Sequence, residues 1–325
     1  MRGFKTAKRK KKPWRRVIRN PMRKRQSEIL SPEFFRFRKI KLAYYSVPSA
    51  LKAEKEPILF FHANGFSALT YSPIYEDLSK AGYPVYALDF MGHGLSEATD
   101  EFRDWYFFRD QVLAFLDHLG LESVFGVGHS LGGASVLLAA SNDIKQRFRK
   151  LAVLDPTVLT PLTSNLLYFV PNPLAKLADK RRAVFKNLQV VERSYRMMPM
   201  YKRWQPKSFQ AYLKSAFRIR SDGQFELCLP PKIEAQIFRG LRPGHWKNYR
   251  ILRQQILVLS ATRSDVTPPS ACRKLTRNNL ESAYFRHSDG SHFFPMEDPS
   301  WVSNHITRFL SGEENQGKRK YETIS

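Results

Sequence analysis

The sequence predicts an α/β protein built on a mostly parallel sheet that is covered on both faces. Short, continuous apolar runs recur along the chain, and stretches with helical spacing separate them. Such runs suit strands buried on both sides, which is the habit of parallel sheets. Phe34–Val47 alternates apolar with basic or polar residues and reads as two strands in a hairpin. Pro57–Phe61 is a buried strand that ends in His62-Ala63-Asn64-Gly65-Phe66. Residues 71–81 carry Ile74, Leu78 and Ala81 at helical spacing, and Tyr83–Leu88 is the next strand, ending at Asp89. Trp105, Phe108, Val112, Phe115, Leu116 and Leu119 share one face of a helix over 101–119. A strand from Ser123 to Val127 is followed by small apolar residues from Gly133 that suit a helix, and Leu151–Leu154 is a further strand before Asp155-Pro156. The alternation then stops. Residues 157–250 are basic, punctuated by proline and helical in character, and predict a helical cap inserted at one sheet edge. Strand and helix resume with Ile256–Ser260, Ser270–Asn278, Ser282–Arg286 and Pro299–Leu310. The predicted organisation is a basic, disordered arm (1–30), a core (31–156 and 251–311), the cap (157–250) and a flexible tail (312–325).

Composition narrows the class. With 42% hydrophobic and 13% aromatic residues, 325 residues can bury a large core, which excludes a disordered chain. Cys228 and Cys272 are expected as reduced thiols. No run of about 18 apolar residues points to a membrane-spanning helix. The arm lacks the apolar stretch of a secretory signal, so a cytoplasmic location is expected. The net charge of +25 is uneven. Residues 1–25 hold 13 Lys or Arg and no acid, and residues 172–253 hold 19 basic against 5 acidic residues, leaving the rest near neutral. This asymmetry predicts an anionic partner surface (phospholipid, nucleic acid or an acidic protein), with peripheral contact with an anionic membrane the expectation. The arm has apolar or aromatic anchors at Phe4, Trp14, Val17 and Ile18 but no base-stacking motif, so nucleic acid is not expected as a partner.

Gly128-His129-Ser130-Leu131-Gly132 spells G-x-S-x-G between a predicted strand and a predicted helix. A strand turning sharply into a helix lifts the middle serine clear of the sheet, beside helix N–H groups that favour negative charge. Serine is a poor nucleophile without a base, and an imidazole backed by a carboxylate supplies one. His292 follows a Gly-Ser turn after a strand and is the expected base; His287, five residues earlier, is its rival. Asp265, a few residues past the Ile256–Ser260 strand, is the expected acid, and Asp155 is the alternative.

The chain resembles the α/β-hydrolases from about Phe34 to Leu310. The HANGF loop at 62–66, Asp89-Phe90-Met91-Gly92-His93-Gly94-Leu95-Ser96, the GHSLGG elbow, Asp265-Val266-Thr267-Pro268 and Gly290-Ser291-His292 occur in that family's order. The resemblance implies the α/β-hydrolase fold and a serine, acid, histidine triad of Ser130, Asp265 and His292. It also implies an oxyanion hole from the backbone N–H groups of Leu131 and Phe66. The implied activity is a serine esterase that cleaves a carboxylic ester, of carboxylesterase or lysophospholipase type, through an acyl-enzyme. An acyltransferase on the same triad and a non-catalytic basic protein docking on membrane or nucleic acid are the alternatives. A small ester substrate, lipid-like in character, is expected, with no cofactor and no metal. His62, Asn64, His129, Met197 and Trp204 are candidates for the substrate pocket; His62 and His93 are also expected to shape their loops, as is Asp89.

Overall fold

In the computed structural model the residues described are 30–160, 172–313 and 321–324. The basic arm, with its predicted anchors, and cap residues 161–171 lie outside them. In chain order the first part of the core runs β1 (Glu33–Phe37), β2 (Ile40–Val47), β3 (Ile58–Phe61), α1 (Ser72–Lys80), β4 (Val85–Leu88), α2 (Tyr106–Leu119), β5 (Val124–His129), α3 (Leu131–Asn142) and β6 (Phe148–Leu154). The cap follows with α4 (Pro173–Asp179), β7 (Val184–Phe185), α5 (Leu188–Arg196), α6 (Pro206–Ser215), β8 (Phe217–Ile219), β9 (Phe225–Leu227), α7 (Pro231–Arg239) and α8 (Trp246–Tyr249). The core closes with β10 (Gln255–Ala261), α9 (Pro269–Thr276), β11 (Ala283–His287), α10 (Phe294–Glu297), α11 (Pro299–Ser311) and β12 (Tyr321–Ile324).

The large sheet has the order β1-β2-β4-β3-β5-β6-β10-β11-β12. The β1–β2 and β2–β4 pairings are antiparallel and all others parallel. Burial follows from position. Every residue of β3 and of β5 is buried, whereas β1, at the edge, alternates exposed and buried positions near its end. Helix α3 is apolar all round and buried from Leu131 to Ala140, packed between α2, α8 and the strands beneath it. The sheet places the C-terminal ends of β3, β5, β6, β10 and β11 side by side. Phe61 pairs with Gly128, His129 with Leu154, Leu154 with Leu259 and Ala261 with His287. Loops leaving that edge converge where ligands bind in open α/β sheets.

Three elements differ from expectation. Helix α2 begins at Tyr106, five residues later than its apolar face suggested, and the Tyr106 N–H is taken by Asp104 Oδ1 at 2.9 Å. The cap is not purely helical: β7, β9 and β8 form a small antiparallel sheet. Strands of two and three residues are too short to leave a period in the sequence. The expected flexible tail contains β12, whose Tyr321–Ile324 pairs in parallel with Tyr284–His287 and continues the sheet past β11. An open strand edge presents unpaired backbone groups that a nearby extended segment satisfies.

Candidate active site

Ser130 sits at the bend between β5 and α3 with φ 54° and ψ −113°. A non-glycine residue held at positive φ is strained and persists only where its surroundings fix it. Here the glycines permit the bend. A Cβ on Gly128 would lie 2.4 Å from the Gly132 backbone, and one on Gly132 would lie 2.2 Å from the Phe61 carbonyl oxygen. The Ser130 N–H donates to Leu154 O at 3.0 Å, and its carbonyl accepts from the N–H groups of Ala134 and Thr157. The side chain is left 9% exposed at the sheet edge.

His292 lies on the loop between β11 and α10. Its Nε2 is 3.1 Å from Ser130 Oγ, and its Nδ1 is 2.6 Å from Asp155 Oδ2. An ionised carboxylate only accepts, so Nδ1 carries the proton and Nε2 faces the serine hydroxyl as an acceptor. The 288–294 loop is tied down by Ser291, whose N–H and hydroxyl both donate to Glu297. His287 instead lies 3.5 Å from Asp298 and packs edge-to-face on Trp301.

The carboxylate that meets His292 is Asp155, and the expectation that Asp265 would lie there is corrected. Asp155 is the first residue past β6, the strand that pairs directly with β5, and it is fully buried with φ 40°. Its N–H donates to Leu259 O at 2.6 Å. Asp265 is exposed, four residues past the end of β10. The residues around it still serve the site: the Ser264 hydroxyl donates to Asp155 Oδ2, and the Thr267 hydroxyl donates to Pro156 O. Thr157, which the sequence reading passed over, brings its hydroxyl to 3.2 Å from Ser130 Oγ.

The HANGF loop leaves β3 beside the elbow. The Phe66 N–H, expected in the oxyanion hole, instead donates to Ala63 O at 3.3 Å and closes a turn. Among the described residues the N–H groups of Asn64 and Leu131 have no acceptor, and Leu131 N–H is free because it opens α3. Close contact of Gly132 with Phe61 and His62 brings these two segments together. His62 is wholly buried, accepting the Phe90 N–H at Nε2 and donating from Nδ1 to Ala63 O. His93 donates from Nδ1 to Met91 O and accepts the Gly65 N–H. Burial holds His62 well below the usual histidine range and lowers His93 to about 4, so both rings stay neutral. They shape loops, and His93 also borders a small cavity with Gly65, Phe66 and Arg181. Asp89 accepts from Ala68 N–H, Leu95 N–H and the Tyr45 hydroxyl, while burial pushes its pKa up to about 6.

The other pocket candidates divide. Met197 is 71% exposed at the end of α5 and His129 is fully buried under the elbow, so neither is a pocket wall. Trp204 is buried, with its ring 5.6 Å from Phe66 and 6.1 Å from Phe293, the neighbour of His292. Tyr195, Tyr201, Phe209 and Tyr212 pack with it as the cap's own core. An ion pair within the cap lies beside the HANGF loop. Arg181 Nη1 donates to both Glu234 carboxylate oxygens at 2.9 and 3.1 Å, and its Nη2 donates to the hydroxyls of Tyr195 and Tyr212. Asn64 Nδ2 donates to Glu234 O at 3.3 Å. Cys228 and Cys272 are free and buried. Among the described residues no group of three or more His, Cys, Asp or Glu could hold a metal, and no helix is long and apolar enough to cross a membrane.

Known proteins share this arrangement of strands and loops. The chain is 22% identical over 284 residues to 2-(acetamidomethylene)succinate hydrolase of Mesorhizobium japonicum (strain LMG 29417 / CECT 9101 / MAFF 303099), covering 86% of this chain and 97% of that protein. It is 28% identical over 136 residues to the bifunctional esterase/perhydrolase DCH of Acinetobacter calcoaceticus, covering 40% of this chain and 48% of the relative. Among solved structures, that of E-2-(acetamidomethylene)succinate hydrolase matches with a TM-score of 0.74 at 20% identity, covering 87% of this chain and 100% of the other, a likeness of fold. A model of the alpha/beta hydrolase family matches residues 58–304, which span the sheet from β3, the elbow, the cap and the His292 loop. The chain belongs to the alpha/beta hydrolase family.

Proposed function

We propose that this protein is a serine hydrolase that cleaves a carboxylic ester through an acyl-enzyme, with Ser130, His292 and Asp155 as its triad. The observation that carries the reading is the unbroken line of contacts from Ser130 Oγ through His292 to Asp155, at 3.1 and 2.6 Å. Ser130 Oγ attacks the carbonyl carbon as its proton passes to His292 Nε2. Asp155 holds the ring in the required tautomer and stabilises the imidazolium. The N–H groups of Leu131 and Asn64 receive the oxyanion, fixed in place before the reaction starts. Collapse of the tetrahedral intermediate breaks the C–O bond, and His292 returns the proton to the departing alcohol. Water then attacks the acyl-serine by the same steps in reverse. No cofactor enters this scheme. Turnover of a p-nitrophenyl ester series of increasing chain length tests it. Hydrolysis that stops in Ser130→Ala supports the reading, and hydrolysis that continues there overturns it.

Acyl transfer to an alcohol is the second reading. The packing of Trp204 over Phe66 and Phe293 favours it, because an aromatic cover beside the base disfavours water as acceptor. Product analysis with added alcohol separates the two. Ester formation that outpaces hydrolysis makes the chain a transferase.

The same reading extends to where the enzyme works. Met197 and Met198, 71% and 43% exposed, lie among Arg193, Arg196 and Lys202, and the adjoining Arg203 reaches Asp289 near the His292 loop. Exposed apolar side chains ringed by cations suit an anionic lipid surface and an ester substrate of lipid-like character.

A further inference from the structure

A buried chain of hydrogen bonds links the three loops of the site. The Ala63 N–H donates to the Tyr71 hydroxyl at 3.2 Å, and that hydroxyl lies 2.7 Å from His129 Nδ1. His129 Nε2 lies 2.9 Å from the carbonyl oxygen of His292. The proton positions follow from the partners. A carbonyl can only accept, so Nε2 carries the hydrogen. In a neutral ring Nδ1 is then the acceptor, the tyrosine donates its one proton there, and its lone pair takes the Ala63 N–H. Every donor in the chain meets an acceptor. Tyr71 is 1% exposed and His129 wholly buried, so water cannot substitute for a lost member. Burial also drives the His129 pKa well down, which keeps the ring neutral 4.8 Å from the ring of His292.

We propose that Tyr71 and His129 are positioning residues, a buried strut that sets the distance between the HANGF loop and the backbone of His292. His129 is the residue directly before Ser130, so the strut passes through the elbow. At one end is Ala63, next to the Asn64 N–H assigned to the oxyanion. At the other is the main chain of the base. A base that must sit 3.1 Å from its serine is sensitive to shifts well under 1 Å. The side chain of His292 is oriented by Asp155; its backbone height above the elbow is set by His129. Neither strut residue touches substrate. The inference rests on the serine hydrolase reading for its catalytic consequence, though not for the strut itself.

Two measurements test it. Nitrogen-15 histidine spectra of the full chain report the tautomer directly, and His129 is expected as the neutral Nε2–H form, with its signal perturbed in Tyr71→Phe. An Nδ1–H or protonated His129 at pH 7 overturns the strut whether or not the protein is an enzyme. The rate of Ser130 labelling by a fluorophosphonate reads the consequence. Tyr71→Phe and His129→Leu are expected to slow labelling about tenfold or more, with ester KM changed less than about threefold. His129→Gln, whose amide N–H reaches the same carbonyl, is expected to recover labelling to within about threefold of the wild type. Equal rates in His129→Leu and His129→Gln, each folded by thermal melt, reduce His129 to a filler and overturn the proposal. If the wild type reacts with neither probe nor ester, the hydrolase reading and the catalytic role fall together, and the tautomer alone decides the strut.

Discussion

Exchanging Asp155 for asparagine separates the geometry of the triad from its charge. Asp155 is buried, and its Oδ2 takes both the His292 Nδ1 proton and the Ser264 hydroxyl, while among the described residues its Oδ1 has no hydrogen-bond partner. An asparagine of nearly the same shape keeps the packing. Its amide must either present N–H to two donors or turn its oxygen to them and forgo the negative charge. In the first case His292 is pushed to the wrong tautomer; in the second the imidazolium formed on attack loses its buried counter-ion. Loss of this carboxylate charge in a serine triad costs about ten-thousand-fold in kcat, or about 5 kcal/mol at 1.36 kcal/mol per decade. Asp265→Asn, on an exposed loop residue, is expected to change kcat less than about threefold. The assay is kcat on a p-nitrophenyl ester for both variants, with thermal melts to show that each is folded. An Asp155→Asn enzyme within tenfold of the wild type, or an Asp265→Asn enzyme slowed more than a hundredfold, refutes the assignment of the acid.

Other outcomes follow from the same contacts. Gly94→Ala places a Cβ 2.0 Å from Asp89 Oδ2 at φ 52° and is expected to destabilise the fold by about 3 kcal/mol in urea titration; an unchanged midpoint contradicts the loop geometry. Burial lowers His93 and His245 to about 4, below their unfolded value near 6.5. For such groups stability is complete above pH 6.5 and is lost as pH falls toward 4, since only the unfolded chain takes up the proton. Each contributes a loss of about 2 kcal/mol between pH 7 and pH 5. Asp89, raised to about 6, acts in the opposite sense below that pH and offsets part of it. Denaturation midpoints that are flat from pH 7 to 5 contradict the buried, neutral histidines. Sedimentation with phosphatidylglycerol vesicles is expected to weaken about tenfold in a Met197→Ser/Met198→Ser/Lys202→Glu variant with hydrolysis of a soluble ester unchanged; equal binding of variant and parent rules out that edge of the cap.

What could be read from the chain was local. The elbow needs a strand, a serine between glycines and a helix in one short window, and all were visible around Ser130. His292 was legible because a Gly-Ser turn after a strand is also local. Which carboxylate meets His292 was not, because two aspartates each follow a strand and only the sheet order decides between them. β6 lies against β5, so its first residue past the strand reaches His292, whereas β10 lies one strand further out and lends Ser264 instead. Asn64 and Phe66 differ only in which N–H a turn consumes, a matter of backbone dihedrals that composition does not reveal. The cap's aromatics suggested a pocket or a core. Packing made most of them core and left Met197 outside. Arg181 and Glu234, 53 residues apart, carried no signal as a pair, nor did Tyr71 with His129, 58 apart.

The most direct test of the account is the site of covalent labelling. After reaction of the full-length protein with a fluorophosphonate and proteolysis, mass spectrometry is expected to find one phosphonyl group on the peptide containing Ser130 and none in Ser130→Ala. Labelling on another residue, or undiminished labelling of Ser130→Ala, contradicts the assignment of Ser130 as the nucleophile.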